Sequence, residues 1–459
     1  MAKKLWGSRF SKKTNILTEK FTSSISYDKK LSKYDVLGCI AHAKMLGRTK
    51  IIAPKDAKLI VRGLNIIFKE IESGRFKYDF SAEDIHTNIA NSLKKKIGSA
   101  ADKLHTARSR NDQIALDMKM YCKEEVNDLL KLIKGLQRSI LKLAEKNIKI
   151  VIPAYTHLQV AQCVLLSHHL LAYVEMLERD QKRLFDAGKR VDYMPLGSCA
   201  LSGTSLPIDR EYVKKLLGFS KLTGNSIDAV SDRDFIIELL SDLAILSVHL
   251  SRISEDLILW STKEFNFIDI DFSFCTGSSI MPHKKNPDVL ELIRGSVGKI
   301  HGDLSSILIL MKGLPTSYNR DMQLDKPPFF DAVETMKDAL GILAELFKNI
   351  TIKKEEIAAK LSDESLFSVD IVEYLIKKGA PYREAHDIVG KIIKGSLDKG
   401  KKIAKLTDRE LKKYSAKLGP DVKKILDAWS SVSFKKSYAG TSPKLVHKQI
   451  DAWKRKLRV

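Results

Sequence analysis

The sequence has few cysteines, and they form no motif. Five cysteines stand far apart, at positions 39, 122, 163, 199 and 275, and no two make a Cys-x-x-Cys pair. Disulfide-stapled secreted domains and structural zinc sites need a denser and more regular cysteine pattern. We therefore expect reduced thiols in a cytoplasmic protein, and no metal site.

A long apolar run is also missing. A membrane-spanning helix needs about 20 consecutive apolar residues. The most apolar stretch, residues 239–259, is interrupted by five ionisable side chains: Asp242, His249, Arg252, Glu255 and Asp256. The first residues are polar and lack the apolar core of a signal peptide. The sequence thus predicts a cytoplasmic location and no membrane partner.

Acidic residues are fewer than basic residues. The chain of 459 residues has 79 Lys and Arg against 56 Asp and Glu, a formal net charge of +23. Such an excess is common in proteins that bind nucleic-acid phosphates. The cations are spread along the whole chain and belong to no recognisable nucleic-acid module. We therefore favour a solvated basic surface and expect no nucleic-acid partner.

Extended β runs are nearly absent, whereas long helical patterns are frequent. Apolar residues recur at helical spacing over five segments: 114–146, 162–189, 236–260, 287–311 and 328–349. Helices of this length exceed the usual length about twofold, which indicates an elongated all-α bundle. We expect three domains: a mainly helical segment 1–109, the long-helix bundle 110–352 and a small helical domain 353–459.

The stretch with the most distinctive chemistry is residues 277–287, Gly-Ser-Ser-Ile-Met-Pro-His-Lys-Lys-Asn-Pro. It combines free hydroxyls with the cations Lys284 and Lys285. Asn286 suits a helix N-cap and Pro287 a first helical turn, so the positive end of a helix dipole would face the same loop. The loop should attract a carboxylate or phosphate. A flexible basic loop that only caps a helix explains the composition equally well.

Three other polar segments have donors suited to carboxylates. Residues 104–112 include Ser109, Arg110 and Asn111, which could equally be a helix N-cap with exposed arginines. Residues 153–159 carry His157, whose imidazole we expect near the end of the following helix, where its protonation can be tuned. A lone histidine is more often structural. Residues 312–326 form a polar connection between two helices, and an ordinary solvent-exposed linker would explain their composition equally well.

Taken together, these segments resemble the argininosuccinate lyase family of the fumarase/aspartase superfamily, to which the δ-crystallins are related. The resemblance rests on His-Thr-Ala-Arg-Ser-Arg-Asn-Asp at 105–112, Tyr-Thr-His-Leu-Gln at 155–159, the stretch 277–287 and Tyr-Asn-Arg-Asp-Met-Gln at 318–323. Residues 380–386 and 440–443 add two weaker matches, so the resemblance covers nearly the whole chain.

The resemblance implies a fumarase/aspartase-like three-domain fold with a central five-helix bundle. It also implies a homotetramer with a 20-helix core, whose active sites draw on three chains. The implied reaction is the reversible elimination of argininosuccinate to fumarate and L-arginine in arginine biosynthesis, with no cofactor. The alternatives are a related amino-succinate lyase such as adenylosuccinate lyase, and a δ-crystallin-like structural protein.

The resemblance also implies roles for individual residues. Ser278 would be the base, and His157, oriented by Glu291, would act on the leaving nitrogen, although the resemblance leaves open which of the two is base and which acid. Lys284 and Asn286 would hold the developing dianion. The implied substrate contacts are Ser24, Ser109, Arg110, Asn111, Thr156, Tyr318, Gln323 and Lys326. Four positions depart from the family pattern without replacing a residue of implied role: Ala90, His283, Arg320 and Leu324.

Overall fold

The computed structural model describes residues 14–458, and most of these residues are helical. The α-helices are α1 (Ile16–Thr22), α2 (Ile25–Asp28), α3 (Ser32–Arg48), α4 (Pro54–Glu72), α5 (Ile85–Ile97), α6 (Arg110–Lys146), α7 (Leu166–Val191), α8 (Arg210–Leu217), α9 (Ser226–Ser231), α10 (Asp234–Ser261), α11 (Asp288–Met311), α12 (Lys326–Lys348), α13 (Lys354–Lys360), α14 (Ser368–Lys377), α15 (Tyr382–Lys399), α16 (Asp408–Lys412), α17 (Ala428–Ser433) and α18 (Pro443–Leu457). Among the described residues, no helix has the length and apolar character needed to cross a membrane.

Short strands form three two-stranded sheets. Strands β1 (Val151–Thr156) and β2 (Gln159–Leu165) pair antiparallel as a hairpin. Strands β3 (Tyr193–Met194) and β4 (Lys221–Leu222) pair in parallel, and β5 (Ile268–Ile270) pairs antiparallel with β6 (Ile350–Ile352). The sheets are too small to carry a core of their own, so the fold is all-α as predicted.

The five longest helices of the described residues are α6, α7, α10, α11 and α12, with 37, 26, 28, 24 and 23 residues. They match the five segments whose apolar periodicity predicted them. One boundary was wrong, because helix α7 begins at Leu166 and not at residue 162. Residues 159–165 pair with β1 as strand β2 and become more buried toward Leu165, which a helical period cannot describe.

The chain groups into two compact units, each built from three separate segments. Unit 1 comprises the described residues up to Lys131, then Asp180–Leu246 and Val297–Lys337. Unit 2 comprises Leu132–Arg179, Ser247–Ser296 and the described residues from Asp338 onwards. The three-domain division expected from the sequence stays a prediction.

Within unit 1, ion pairs join long helices side by side. Lys337 of α12 bonds Glu125 of α6 at 2.8 Å, and Lys299 of α11 bonds Asp331 of α12 at 2.8 Å. Arg190 of α7 approaches Glu238 of α10 with its Nε at 2.7 Å. These exposed or half-exposed pairs contribute little energy, but they show which helices are neighbours.

Unit 2 supplies the remaining neighbours of the five-helix bundle. Arg294 of α11 bonds Glu255 of α10 at 2.7 Å. The amide of Gln137 on α6, fully buried, donates to the carbonyl oxygen of Val174 on α7 at 3.1 Å. A buried amide needs such a partner, so this bond fixes the contact between α6 and α7.

The core of unit 1 packs α3 against α4 and α5. Ile60, Leu64 and Ile67 of α4 have no exposed surface. Gly63 lies on the same helix, and a Cβ added there would stand 2.6 Å from Leu93 Cδ1 of α5. Glycine is thus required by the close approach of the two helices.

We expect Gly63→Val to destabilise the protein by about 1–3 kcal/mol, because the new side chain overpacks the contact between α4 and α5. Urea unfolding followed by circular dichroism measures the loss. Gly390→Val is the matched control, since a Cβ at this exposed position of α15 meets nothing within 4 Å. Equal stability of the two variants would show that α4 and α5 do not pack this closely.

Candidate active site

The loop of residues 277–285 belongs to unit 2 and is closed at its base. Thr276 and Asn286 exchange two backbone hydrogen bonds, N to O, of 3.1 and 2.8 Å. Inside the loop, the N–H of Lys284 donates to the carbonyl oxygen of Met281 at 3.0 Å. The loop therefore has a fixed base while most of its side chains, including Lys284, are exposed.

Ser278 is half-buried, and its hydroxyl is the focus of this loop. Its Oγ accepts hydrogen bonds from the backbone N–H groups of Ile280 and Met281, with N–O distances of 3.4 and 3.1 Å. Backbone donors aimed at one oxygen favour its deprotonated form, as in an oxyanion hole. The arrangement suits a serine that must lose its proton.

The start of α11 differs from the prediction in one detail. Asn286 does not cap the helix, because its amide donates to the carbonyl oxygen of Gly277 at 3.3 Å, and α11 begins at Asp288. The Thr276 hydroxyl bonds the Asp288 carboxylate instead. Asn286 thus ties the helix start to the serine loop, which capping preferences alone did not indicate.

His157 lies at the tip of the hairpin of β1 and β2, not beside a helix end as expected. Thr156 and Gln159 form the last pair of the ladder, so His157 and Leu158 make a two-residue turn with φ of 55° and 56°. Such turns favour Asn and Gly, because other residues are strained at positive φ. The turn holds an exposed imidazole out from the sheet.

Glu291, the expected partner of His157, is exposed on the first turn of α11. Within residues 14–458, no hydrogen bond or ion pair joins the two side chains. Both belong to unit 2, as do Thr156, Ser278, Lys284 and Asn286. The orienting role of Glu291 stays a prediction.

The other predicted residues belong to unit 1, where Arg110 begins α6. Its guanidinium bonds Asp84 Oδ2 at 3.0 Å and Thr87 Oγ1 at 2.6 Å, and lies 3.8 Å from Glu83. Asp84 caps α5 by accepting the N–H of Thr87 at 2.7 Å. The cap therefore also fixes the direction of Arg110, a contact that links distant parts of the sequence.

Ser109 is held by the carboxylate of Asp112, and Asn111 is held by a backbone carbonyl group. Asp112 accepts the N–H of Ser109 at 3.0 Å and the N–H groups of Gly197 and Cys199 at 2.9 and 2.8 Å. Burial raises the pKa of Asp112 to about 6, although these donors favour its charged form. The Asn111 amide donates to the carbonyl oxygen of Ala200 at 3.0 Å.

Ser24 and Gln323 are brought together by the segment that follows α1. The Gln323 amide donates to the carbonyl oxygen of Thr22 at 3.2 Å, and so does Arg320 at 2.6 Å. The backbone N–H of Ser24 donates to Glu83 at 2.9 Å, and Arg320 bonds the Glu83 carboxylate at 2.9 Å. Ser24, Arg110 and Arg320 thus converge on residues 83–84, and Gln323 bonds the nearby Thr22.

Tyr318 and Lys326 lie on the same polar connection. Burial raises the pKa of Tyr318. Lys326 is only 3% exposed, and its ammonium bonds Asp325 at 2.7 Å. Asp325 also bonds the fully buried Arg233, and the two cations hold the pKa of Asp325 below its usual value although burial opposes the charge. No local pattern in the sequence predicts this pairing, since residues 233 and 325 are far apart along the chain.

A second buried ionic cluster joins three helices of unit 1. His86 Nδ1 of α5 lies 3.2 Å from Asp35 of α3 and 3.8 Å from Asp117 of α6. Their ligand atoms all fall within 4.8 Å of one another, which is close enough for a metal ion. Burial and the neighbouring Asp35 raise the pKa of Asp117 well above its usual value, whereas His86 and Arg108 hold the pKa of Asp35 below it although burial opposes the charge. The protonated His86 therefore compensates the charge of Asp35 in particular.

Comparison with known proteins relates the whole chain to one group of enzymes. Residues 8–302 match the family model described as Lyase, and residues 366–433 match the model described as Argininosuccinate lyase C-terminal. The argininosuccinate lyase of Syntrophus aciditrophicus (strain SB) is 49% identical over 97% of this chain and 95% of its own. That of Pelotomaculum thermopropionicum is 46% identical over 99% of both chains.

Solved structures confirm the predicted fumarase-like fold. EDDS lyase in complex with formate matches with a TM-score of 0.84 and 27% identity, over 94% of this chain and 87% of its own. A variant of EDDS lyase with bound fumarate matches with a TM-score of 0.84, at 26% identity over 98% and 91%. Class II fumarase from Schistosoma mansoni shares the fold alone, with a TM-score of 0.75 and 18% identity over 90% and 92%.

The ionic cluster of His86 predicts a pH-dependent stability. Burial would lower the pKa of His86, but Asp35, Asp84 and Asp117 raise it from 6.5 to about 9. A group whose pKa rises on folding stabilises the protein fully below its unfolded pKa, and this contribution is lost as the pH rises through the folded pKa. We expect the melting temperature to fall between pH 6.5 and about 9.

His86→Gln should flatten this fall, because the side chain can no longer bind the proton. His447→Gln, at an exposed position of α18, is the control and should keep the wild-type slope. Differential scanning fluorimetry across the pH range gives all three curves. An identical slope in wild type and His86→Gln would rule out His86 as the titrating group.

Proposed function

The chain belongs to the argininosuccinate lyase family, and we propose that Ser278 and His157 are the base and acid with which it cleaves argininosuccinate. It is a carbon–nitrogen lyase that releases fumarate and L-arginine reversibly, in arginine biosynthesis. The base takes the proton from the carbon next to a succinyl carboxylate. The electrons of that carbon–hydrogen bond form the double bond, and those of the breaking carbon–nitrogen bond leave with the nitrogen. The acid protonates the leaving guanidinium nitrogen.

The observation that carries the assignment of Ser278 is the pair of N–H groups on its hydroxyl oxygen. An ordinary serine is a poor base at neutral pH. The N–H groups of Ile280 and Met281 are aligned on Oγ without substrate, so they stabilise the alkoxide with little reorganisation. The backbone hydrogen bonds between Thr276 and Asn286, which close the loop, keep this geometry.

Lys284 and Asn286 are proposed to hold the dianion that forms when the proton leaves. The Lys284 ammonium is exposed on the same loop as Ser278, so it is free to approach a carboxylate. Asn286 lies at the loop's base, beside the start of α11. A positive helix end, an ammonium and an amide all lower the energy of negative charge that develops on the substrate.

His157 is proposed as the acid because the hairpin tip projects its imidazole. An imidazole can be neutral at one step and protonated at another, so it suits proton transfer near pH 7. Thr156 precedes it in the ladder and is proposed to bind substrate, with Glu291 orienting the imidazole in the assembled protein. Fumarate bound to the EDDS lyase variant supports fumarate as the product released here.

The polar residues of unit 1 are proposed to bind the substrate's carboxylates and its arginine part. Arg110 is already fixed by Asp84 and Thr87, so its remaining N–H groups are pre-oriented. Pre-orientation lowers the entropic cost of binding. The residues proposed for this role are Ser24, Ser109, Arg110, Asn111, Tyr318, Gln323 and Lys326.

We propose a homotetramer with a 20-helix core and active sites made from three chains, as the family resemblance implies. In the single chain, α11 exposes large apolar side chains: Leu292 is 75% and Ile309 73% exposed. Gly295, Gly298 and Gly302 recur on the same helix, and a Cβ at each would meet nothing within 4 Å. Small residues at helical spacing allow close helix packing, so a second copy of α11 fits there.

The cytoplasm is proposed as the site of action. All five cysteines are free thiols in the structure, and two of them, Cys199 and Cys275, are only partly buried. Free, partly accessible thiols persist in a reducing compartment. Synthesis of arginine from soluble metabolites fits the same place.

Ser278→Ala should lower kcat by several orders of magnitude, because the variant lacks the proposed base. Fumarate formed from argininosuccinate is followed by its ultraviolet absorbance. Ser279→Ala is the matched control, since Ser279 is exposed and adjacent, and should retain most of the activity. Substantial turnover by Ser278→Ala, in protein that elutes as the tetramer, would place the base elsewhere.

A mixing experiment tests the shared sites and both residues at once. Ser278→Ala and His157→Asn should each be inactive, but subunits exchanged between them at equal ratio should recover about a quarter of wild-type activity if each site takes the two residues from different chains. Activity is measured after mild denaturation and reassembly. No recovery, with mixed tetramers demonstrated by mass, would show that both residues come from one chain.

A further inference from the structure

Unit 1 contains a groove that shares no residue with the proposed active site. It lies between α3, α4 and α8 and has a volume of about 710 Å³. Five of its twelve lining residues are cations and none is acidic: Lys44, Arg48, Lys58, Arg62 and Lys69. A groove lined by one sign of charge concentrates ions of the opposite sign.

These cations are largely uncompensated. Arg48 Nε lies 4.0 Å from Asp209, a separation too long for a strong ion pair. For Lys44, Lys58, Arg62 and Lys69, the described residues 14–458 contain no ion-pair partner. All five side chains are exposed, so each can turn toward a bound anion. The general excess of cations in the chain does not explain why no carboxylate enters this groove.

The floor of the groove is apolar. Ala57, Val61 and Ile66 of α4 contribute to it, and Ile66 is 44% exposed. Gly47 of α3 permits the close approach that closes the floor, because a Cβ there would stand 2.5 Å from the Ala57 Cβ. An exposed isoleucine between cations gains free energy when an apolar group covers it.

The third wall is aromatic. Tyr212 of α8 lies under the Arg48 guanidinium, with 4.3 Å from the carbon of that group to the ring centroid. This contact holds Arg48 at the rim while its outer N–H groups remain available. The wall therefore offers a fixed cation next to an apolar surface.

The size of the groove selects the class of occupant. Lining residues of α4 run from Pro54 to Lys69, which is about 22 Å at 1.5 Å per residue. The volume lies in the range of pockets that bind small molecules. A helix of that length, about 10 Å in diameter, needs more space than the groove provides. Asn65 and Tyr212 are its only uncharged polar side chains, which is too few for a ligand rich in hydroxyls.

We propose that this groove binds a small anionic amphiphile, a molecule with an extended apolar body and a carboxylate or phosphate group. The apolar body covers Val61 and Ile66, and the anionic group lies among Lys58, Arg62 and Arg48. Binding is independent of catalysis, since the groove and the proposed catalytic residues have no residue in common.

Isothermal titration of the full-length protein with dodecanoate, below its micelle concentration, tests the proposal. Dodecanoate should bind with one site per chain, and more weakly as salt is raised. Acetate and octyl glucoside separate the two contributions, because one lacks the apolar body and the other the charge. Both should bind at least about tenfold more weakly than dodecanoate.

The double variant Lys58→Glu/Arg62→Glu should weaken dodecanoate binding by about tenfold or more, because it places two like charges beside the anion. Ile66→Asp should also weaken dodecanoate binding, because it places a charge in the apolar floor of the groove. Lys55→Glu is the control: it changes an exposed cation of the same helix outside the groove, and should change affinity less than about twofold. The Ser278→Ala protein should bind as the wild type does.

Unchanged dodecanoate binding by the double variant would overturn the proposal. Acetate that binds as tightly as dodecanoate would also overturn it, because the groove would then hold an adventitious ion only. Binding that fumarate displaces and Ser278→Ala retains would assign dodecanoate to the active site instead. Each variant is also assayed for fumarate formation, so loss of folding is detected separately from loss of the groove.

Discussion

Burial of the apolar stripes along five long helices is the constraint on which the structure depends. A helix of 24 residues such as α11 is about 36 Å long. Leu290, Ile300 and Ile307 face inward with no exposed surface. Leu292 and Ile309 of the same helix face outward, so one chain covers only part of its apolar surface. The effect that folds each chain also favours association of several.

Buried charges give the bundle its local precision. Arg233, Asp325 and Lys326 form one group, and burying ions is costly unless each has a partner. In this group the carboxylate has two cations, and in the cluster of His86 a protonated imidazole lies 3.2 Å from the Asp35 carboxylate. Such groups define position more than they add stability. They hold in place the segments from which the proposed substrate-binding side chains project.

Much of the fold could be predicted because its signal is local and long. Over more than twenty residues, a period of 3.6 accumulates enough apolar positions to mark each long helix. The hairpin of residues 151–165 was not predicted, since strands of six and seven residues carry a weak pattern and no Asn-Gly marks the turn. His157 was therefore identified as a residue but expected in the wrong local structure.

The candidate site was predictable in its residues but not in its contacts. Motif resemblance named Ser278 and Arg110, whereas Asp84 and Asp325, which position neighbouring cations, had no signal of their own. Ion pairs between residues such as 233 and 325 leave no trace in local periodicity or spacing. The backbone donors on Ser278 Oγ were likewise invisible, because any residue type supplies an N–H group.

Exposure of the proposed catalytic groups has a physical consequence. In the single chain, His157 and Lys284 face water, where screening weakens every charge interaction. Stabilisation of a dianion requires that water be replaced by fixed dipoles and cations. The strained turn of His157 and Leu158 holds the imidazole extended at a cost of about 1–3 kcal/mol per strained residue. A turn that only joined two strands would gain nothing from that strain. In the proposed homotetramer, the turn would instead insert the imidazole into a cavity completed by other chains, and burial of the exposed apolar residues of α11 is the proposed driving force for closing that cavity.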